Sequence, residues 1–331
     1  MSQYDVVTLG ETMLRLTPPD FKRIEQTTMF EMEVGGTESN MAIGLARLGL
    51  KVVWLSRLTA NPVGRVIERT LAGHGLDTSR VIWTDEDRVG LFFYERGKSP
   101  RGSRVIYDRR QSAISRMQPT ELPLDLFQPG SARLLHLTGI TPALSPNLAD
   151  TARHALDLAK EAGWLVSFDL NYRSLLWAPA AALAGCAPFM AAADILLAPF
   201  NDVRLLYDLD PAVTPRQALD LLRTHQPQTT IALTLGDQGA IASNPGGQVI
   251  EQPAFPAEEI GRLGGGDAFA AGFLYRSLTA AGAEDRLAQA LRWGAAAAAL
   301  KYTIPGDIPV FDHAEVAALA EQGTAATKLK R

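Results

Sequence analysis

A single cysteine, Cys186, stands in the 331-residue chain, so no disulfide framework can form. Its neighbours Ala184, Gly185, Ala187, Pro188 and Phe189 are apolar or small, which marks it as a core residue rather than a nucleophile. The five histidines are scattered and none has the spacing of a zinc ligand set. Long basic runs are absent and the formal net charge is −4, which argues against a nucleic-acid partner. Residues Met1 to Asp5 lack the basic and apolar regions of a secretory signal. The alanine-rich segments are too short or too interrupted to span a bilayer. These absences lead to the expectation of a cytoplasmic protein that binds neither membrane nor nucleic acid. The phosphate-binding G-x-x-x-x-G-K-[ST] loop is missing, and no G-x-G-x-x-G follows the first strand. The second absence counts against a dinucleotide-dependent dehydrogenase.

What is present is ordinary in bulk, with 47% hydrophobic and 21% charged residues. The length suits one large α/β domain or two smaller ones. Val6–Leu9 has the pattern of a short buried strand, and Gly35-Gly36 opens a helix over Ser39 to Leu48 that Gly49 stops. Lys51 to Leu55 predicts a second strand and Val63 to Ala72 a second helix. From Arg133 strands alternate with helices: strands at Leu134–His136, Leu165–Asp169, Ile195–Ala198 and Ile231–Leu235, and helices near 147–162, 179–192, 201–207 and 215–224. Ala240–Ser243 and Gln248–Glu251 flank Asn244-Pro245-Gly246-Gly247 as a hairpin, and helices from Asp267 and over 284–301 follow. Repeated βα units imply a mostly parallel sheet with helices on both faces. Two segments, 12–34 and 89–112, break this rhythm and have the pattern of short strands around loops, together a small separate sheet.

One stretch stands apart, Ile260 to Leu274, with Gly264-Gly265-Gly266-Asp267 at its centre. Glycines without side chains allow another molecule close to the backbone. A helix N-terminus there offers unpaired amides and the positive end of a dipole to an anion. A carboxylate is out of place if anion holding is the only task, and it suggests a base. The same four residues also suit a tight turn with Asp267 as helix N-cap. In open α/β sheets ligands bind beyond the carboxyl ends of the strands. Three predicted strand ends run into Thr138-Gly139, Asp169-Leu170-Asn171-Tyr172-Arg173 and Gly236-Asp237-Gln238-Gly239.

Gly35-Gly36-Thr37-Glu38-Ser39-Asn40 resembles the first signature of the ribokinase-like (PfkB) carbohydrate kinases, and Leu263 to Leu274 resembles their second. Two signatures in order, about 230 residues apart, are far more specific than either alone. Within the family, Gly10 to Leu16, Arg104 to Arg109, His136 to Ser145, Asp169 to Arg173 and Lys301 to Asp307 are similar to the 2-keto-3-deoxygluconate kinases. The resemblance implies one domain over residues 1–331. It would have a three-layer α/β/α core and a β-sheet lid from 12–34 and 89–112, through which subunits pair. It also implies ATP and Mg²⁺, with Asp267 as general base and the amides of Gly264, Gly265 and Gly266 receiving the phosphoryl group. Thr234, Gly236, Gly239 and Gly266 would lie at the nucleotide. Gly35, Gly36, Asn40, Tyr107, Arg109 and Arg173 would lie at the sugar, the two arginines meeting its carboxylate. The alternatives are a kinase for fructose or a related sugar, and a non-catalytic sugar- or nucleotide-binding regulator.

Two departures qualify the resemblance. Gly261 replaces the first Asp of the second signature, which in relatives helps bind an activating monovalent cation, so that requirement is in doubt. The family's N-x-x-E, tied to Mg²⁺, has no clean match: the nearest register puts Pro199 and Asp202 there, and the next puts Asn201 and Arg204. The metal ligands are therefore left unassigned.

Overall fold

The computed structural model describes residues 2–280 and 282–322. Strands β1 (Val6–Leu9), β2 (Met13–Thr17) and β3 (Glu31–Gly35) lead into helix α1 (Thr37–Arg47). Then come β4 (Val52–Leu55), β5 (Arg57–Thr59), α2 (Pro62–Gly73), β6 (Ile82–Thr84), β7 (Leu91–Glu95) and β8 (Arg104–Asp108). The next stretch holds β9 (Leu134–Thr138), α3 (Ile140–Ala143), α4 (Pro146–Glu161), β10 (Leu165–Asp169), α5 (Pro179–Ala192), β11 (Ile195–Pro199), α6 (Phe200–Leu206), α7 (Pro215–His225) and β12 (Thr230–Thr234). The hairpin β13 (Ala240–Ser243) and β14 (Val249–Gln252), then α8 (Gly265–Thr279), α9 (Arg286–Tyr302) and α10 (His313–Gln322), complete it.

An eight-stranded sheet in the order β14-β13-β12-β11-β10-β9-β1-β4 forms the centre. It is parallel except where β13 runs against β12 and β14 against β13. Alternation along each strand sends neighbouring side chains to opposite faces. Val7, Leu9, Leu135, Leu137, Phe168 and Leu196 pack with α4, α5, α6 and α7 on one face. Val6, Trp54, Leu134, Ile195 and Leu197 pack with α1, α2, α8 and α9 on the other. The three layers follow from that alternation. Local chemistry sets the helix starts: Asn61 accepts from the amides of Val63 and Gly64 before α2, and Ser145 from that of Leu148 before α4. Cys186 is buried in the core, and burial pushes its thiol up to about 12.

The two segments that break the βα rhythm supply a second sheet, order β3-β2-β7-β8. Strand β2 runs against β3 and along β7, and β7 against β8. Strands β5 and β6 and helices α3 and α10 go beyond the sequence reading. Strands β5 and β6 form a two-stranded sheet of their own. Helix α10 docks Val316, Leu319 and Ala320 against Trp293 and Ala296 of α9. The helix expected from Asp267 begins two residues earlier, at Gly265.

Candidate active site

The start of α8 is built by glycine for steric reasons. Gly264 has φ 77°, and a Cβ there would lie 2.0 Å from the Asp307 carbonyl oxygen. A Cβ on Gly265 would lie 2.4 Å from the Tyr302 ring, whereas one on Gly266 would meet nothing within 4 Å. Gly264 is the N-cap residue and no side chain caps the helix, so Asp267 is not the cap that the sequence alone allowed. The Gly265 amide, expected to face an anion, donates instead to the Arg262 carbonyl at 3.3 Å. The amides of Gly264, Gly266 and Asp267 have no partner among the described residues. They form the positive end of a fifteen-residue helix.

Asp267 is claimed by α1. Thr37 Oγ1 donates to Asp267 Oδ1 at 2.5 Å and Asn40 Nδ2 to Oδ2 at 2.7 Å, across 230 and 227 residues of sequence. Gly36 makes that reach possible, since a Cβ on it would lie 2.2 Å from the Glu11 carbonyl oxygen. Asn171 Nδ2, just beyond β10, donates to Thr37 Oγ1 at 3.0 Å and orients the hydroxyl toward Asp267. Burial raises the Asp267 pKa, while the donors Thr37 and Asn40 and the charges of Arg173 and Lys301 pull it down. Neighbouring Asp169 is pushed up to about 8, first by burial and then by the charges of Asp267 and Asp202. A carboxylate held by two donors at a positive helix end, with cations near, stays able to take a proton.

Asp267 closes one end of a cavity of about 180 Å³ under the second sheet. Gly35, Gly36, Asn40, Tyr107, Arg109, Arg173 and Gly264 line it, the residues expected at a sugar together with one of the glycines. The two arginines differ. Arg109 is buried, and its Nε donates to Glu11 Oε2 at 2.7 Å, with a second contact from Nη2. Glu11 also accepts from the Ser112 hydroxyl. Arg173 is exposed and has no ion pair among the described residues. Sequence reasoning missed Glu11 and Asp307, which line the same cavity.

A second cavity, of about 150 Å³, lies on the other side of the α8 start. Thr234, Gly236, Gly239 and Gly266, the residues expected at a nucleotide, line it with Gly265, Phe255, Ala295, Ala298, Ala299 and Tyr302. Gly236 has φ 65° and space around its α-carbon, and Gly239 has φ 106° with its α-carbon against the Gln252 carbonyl. Small and aromatic walls suit a flat ring, and the open glycines suit the phosphates that trail from it.

The model of the pfkB family of carbohydrate kinases matches residues 3–313. The chain belongs to that family. A 2-dehydro-3-deoxygalactonokinase of Haloferax volcanii is 40% identical over 97% of this chain and 98% of its own. A 2-dehydro-3-deoxygluconokinase of Bacillus subtilis is 31% identical over 92% of this chain and 91% of its own. The crystal structure of a Thermotoga maritima 2-dehydro-3-deoxygluconokinase superposes with a TM-score of 0.87 at 34% identity, covering 96% of this chain and 98% of that one. The protein is thus a sugar kinase of the 2-dehydro-3-deoxygluconokinase type (dehydro and keto name the same group), a phosphotransferase with an alcohol acceptor.

The kinase offers no ready cage for a metal. No group of three His, Cys, Asp or Glu side chains able to hold an ion occurs among the described residues. Asp202, in the nearest register to the family's acid, accepts from the Tyr172 amide at 2.9 Å, and burial raises its pKa. At Gly261 a Cβ would meet nothing within 4 Å. No described helix is long and apolar enough to cross a membrane.

Proposed function

We propose that this kinase transfers the γ-phosphoryl group of ATP to the terminal hydroxyl of 2-keto-3-deoxygluconate, giving the 6-phosphate. The observation that carries the reading is the position of Asp267, at the α8 start between a charged cavity and a glycine- and alanine-lined one. The small sheet serves as a lid over the sugar. Arg173 binds the sugar carboxylate in forked geometry, and Arg109, braced by Glu11, forms the wall behind it. Tyr107, Asn40, Gly35 and Gly36 receive the remaining hydroxyls. Asp267 takes the proton of the terminal hydroxyl, whose oxygen attacks the γ-phosphorus as the bond to ADP breaks. The free amides of Gly264, Gly266 and Asp267 hold the phosphoryl oxygens as charge spreads over them. Mg²⁺ carried on the ATP phosphates would neutralise charge there. No group of three His, Cys, Asp or Glu side chains occurs among the described residues to cage it, and Mg²⁺ ordinarily keeps water and substrate phosphates among its ligands.

A second reading has its own support. The Haloferax relative is named for the galactonate-derived epimer and is the more similar of the two curated relatives described above. The epimers differ at one hydroxyl, and a single hydroxyl contact can move specificity strongly when a buried partner is left unpaired. The test is ADP release measured side by side with both 2-keto-3-deoxy sugar acids, fructose and ribose. Turnover of either acid well above the neutral sugars is expected. Preference for a neutral sugar would remove the arginine argument, and ligand binding without turnover would favour a non-catalytic regulator. We also propose that lids pair in a homo-oligomer, since Met29, Met32 and Ile106 are exposed on that sheet and its loop. Sedimentation as a monomer would end that idea.

A further inference from the structure

Lys301 sits in the last turn of α9, where a lysine ordinarily answers the helix dipole from the surface. Here it is wholly buried. Its Nζ donates to the carbonyls of Ile304 at 2.9 Å and Gly306 at 2.8 Å, closing the turn that follows the helix. That turn presses on the start of α8: a Cβ on Gly264 would lie 2.0 Å from the Asp307 carbonyl and 3.3 Å from Lys301 Cε. The charged groups facing the ammonium are Asp307 and Asp267, which favour it, and Arg15, which opposes it. Arg15 is itself paired with Asp307 at 2.6 Å and with Glu33.

A buried ammonium is costly to keep and is retained only where carbonyls and carboxylates compensate it. This one lies beneath Gly264 at the start of α8, where the amides of Gly264, Gly266 and Asp267 have no partner among the described residues, in a chain whose neighbouring Gly261 offers no acid to hold a dissolved cation. We infer that Lys301 is a built-in monovalent cation for the phosphoryl site, locking the turn beneath Gly264 and adding fixed positive charge, so that transfer requires no dissolved K⁺ or Na⁺. The inference rests on the kinase reading above, and it makes Lys301 a positioning residue rather than a catalytic one. Burial lowers its pKa to about 8. The ammonium is therefore complete well below that value and lost as pH rises through it. Asp169, also at about 8, would gain its charge over the same range, and the test must separate the two.

Wild type and Lys301→Met are assayed for ADP release across pH, in tetramethylammonium buffer with and without KCl. In parallel, the ε-carbons of ¹³C-lysine-labelled wild type are titrated by NMR. Expected are a wild-type rate indifferent to KCl, an alkaline fall in kcat near pH 8, and one lysine signal titrating there. In Lys301→Met, kcat should drop by about 10²-fold, as on removal of a single preorganised donor. Its sugar KM should change little, and its alkaline fall should be gone. Strong activation of wild type by KCl would overturn the inference. So would an undiminished kcat in the variant, or an alkaline fall surviving there, which would belong to Asp169. If the variant does not fold, the wild-type response to KCl and the lysine titration still decide. Absence of turnover with every sugar in every buffer would instead sink the kinase reading, leaving the lysine titration to stand alone.

Discussion

The two cavities beside the start of α8 are built on opposite principles. The one lined by Ala295, Ala298, Ala299 and Phe255 is made of backbone and small apolar side chains. Its selectivity would come from shape and from glycines that let phosphates approach. The other is walled by charge: Arg109 against Glu11, and Asp307 against Arg15, with Arg173 in no ion pair among the described residues. On the proposed reading, the first would bind a ligand common to many kinases by fit, and the second a single acid by ions held in place. The buried pairs cost desolvation, but they hold Arg109 to Glu11 and Asp307 to Arg15. Asp267 stands at the edge of the charged cavity, at the start of α8, and is held there by Thr37 and Asn40 of α1.

That contrast can be tested by substitution. The largest effect is expected at the boundary: Asp267→Asn should lower kcat by about 10²–10⁴-fold, while calorimetry finds both ligands still bound. Loss of binding for one ligand only would place Asp267 inside that cavity instead of between them. Next comes Arg109→Ala, which leaves Glu11 buried with only Ser112 as a side-chain partner. It should cost about 3–5 kcal/mol of stability, seen as a lower Tm before any kinetic comparison. Arg173→Ala should leave Tm alone and weaken the sugar acid by about 1.5–3 kcal/mol, the worth of a hydrogen bond to a charged group. The expected readout is a raised KM for the acid with that for ATP unmoved. An unchanged KM would take Arg173 out of the site. The smallest effect is expected from Ala298→Leu, which crowds the apolar cavity by about 1–3 kcal/mol. ATP KM should rise and the sugar KM should not; a joint rise would show that the cavities do not act separately.

Much of this arrangement was legible in the chain, and unevenly so. The βα alternation is a local pattern, and helices α1, α2, α4, α5 and α7 lie within a residue or two of where that pattern puts them. Gly36, Gly264 and Gly265 showed because a turn or a close approach leaves no room for a side chain at them. Lys301 showed only as the first residue of a family-like stretch and its burial did not, because at the end of an alanine-rich helix a lysine has every local sign of a surface residue. Only the fold of 303–307 buries it. Glu11 was hidden for a different reason: its partner Arg109 lies 98 residues away, and nothing near either position signals a pairing. Strands β5 and β6 are three residues each, too short for alternation to be visible. Asn171, at φ 35°, was visible only as a polar strand end. Its bond to Thr37 needed the sheet to bring β10 beside α1.

The bonds from Thr37 and Asn40 to Asp267 have a consequence for the ribosome. One end of the reaction centre is made early in translation and the other only after about two thirds more of the chain has emerged. Strand β1 meanwhile must be threaded between β4 and β9, a pairing of distant segments that slows folding. With Asp267 as the proposed base, a nascent chain lacking α8 would carry the α1 partners of that carboxylate without the carboxylate itself, and the late helices would arm the early ones.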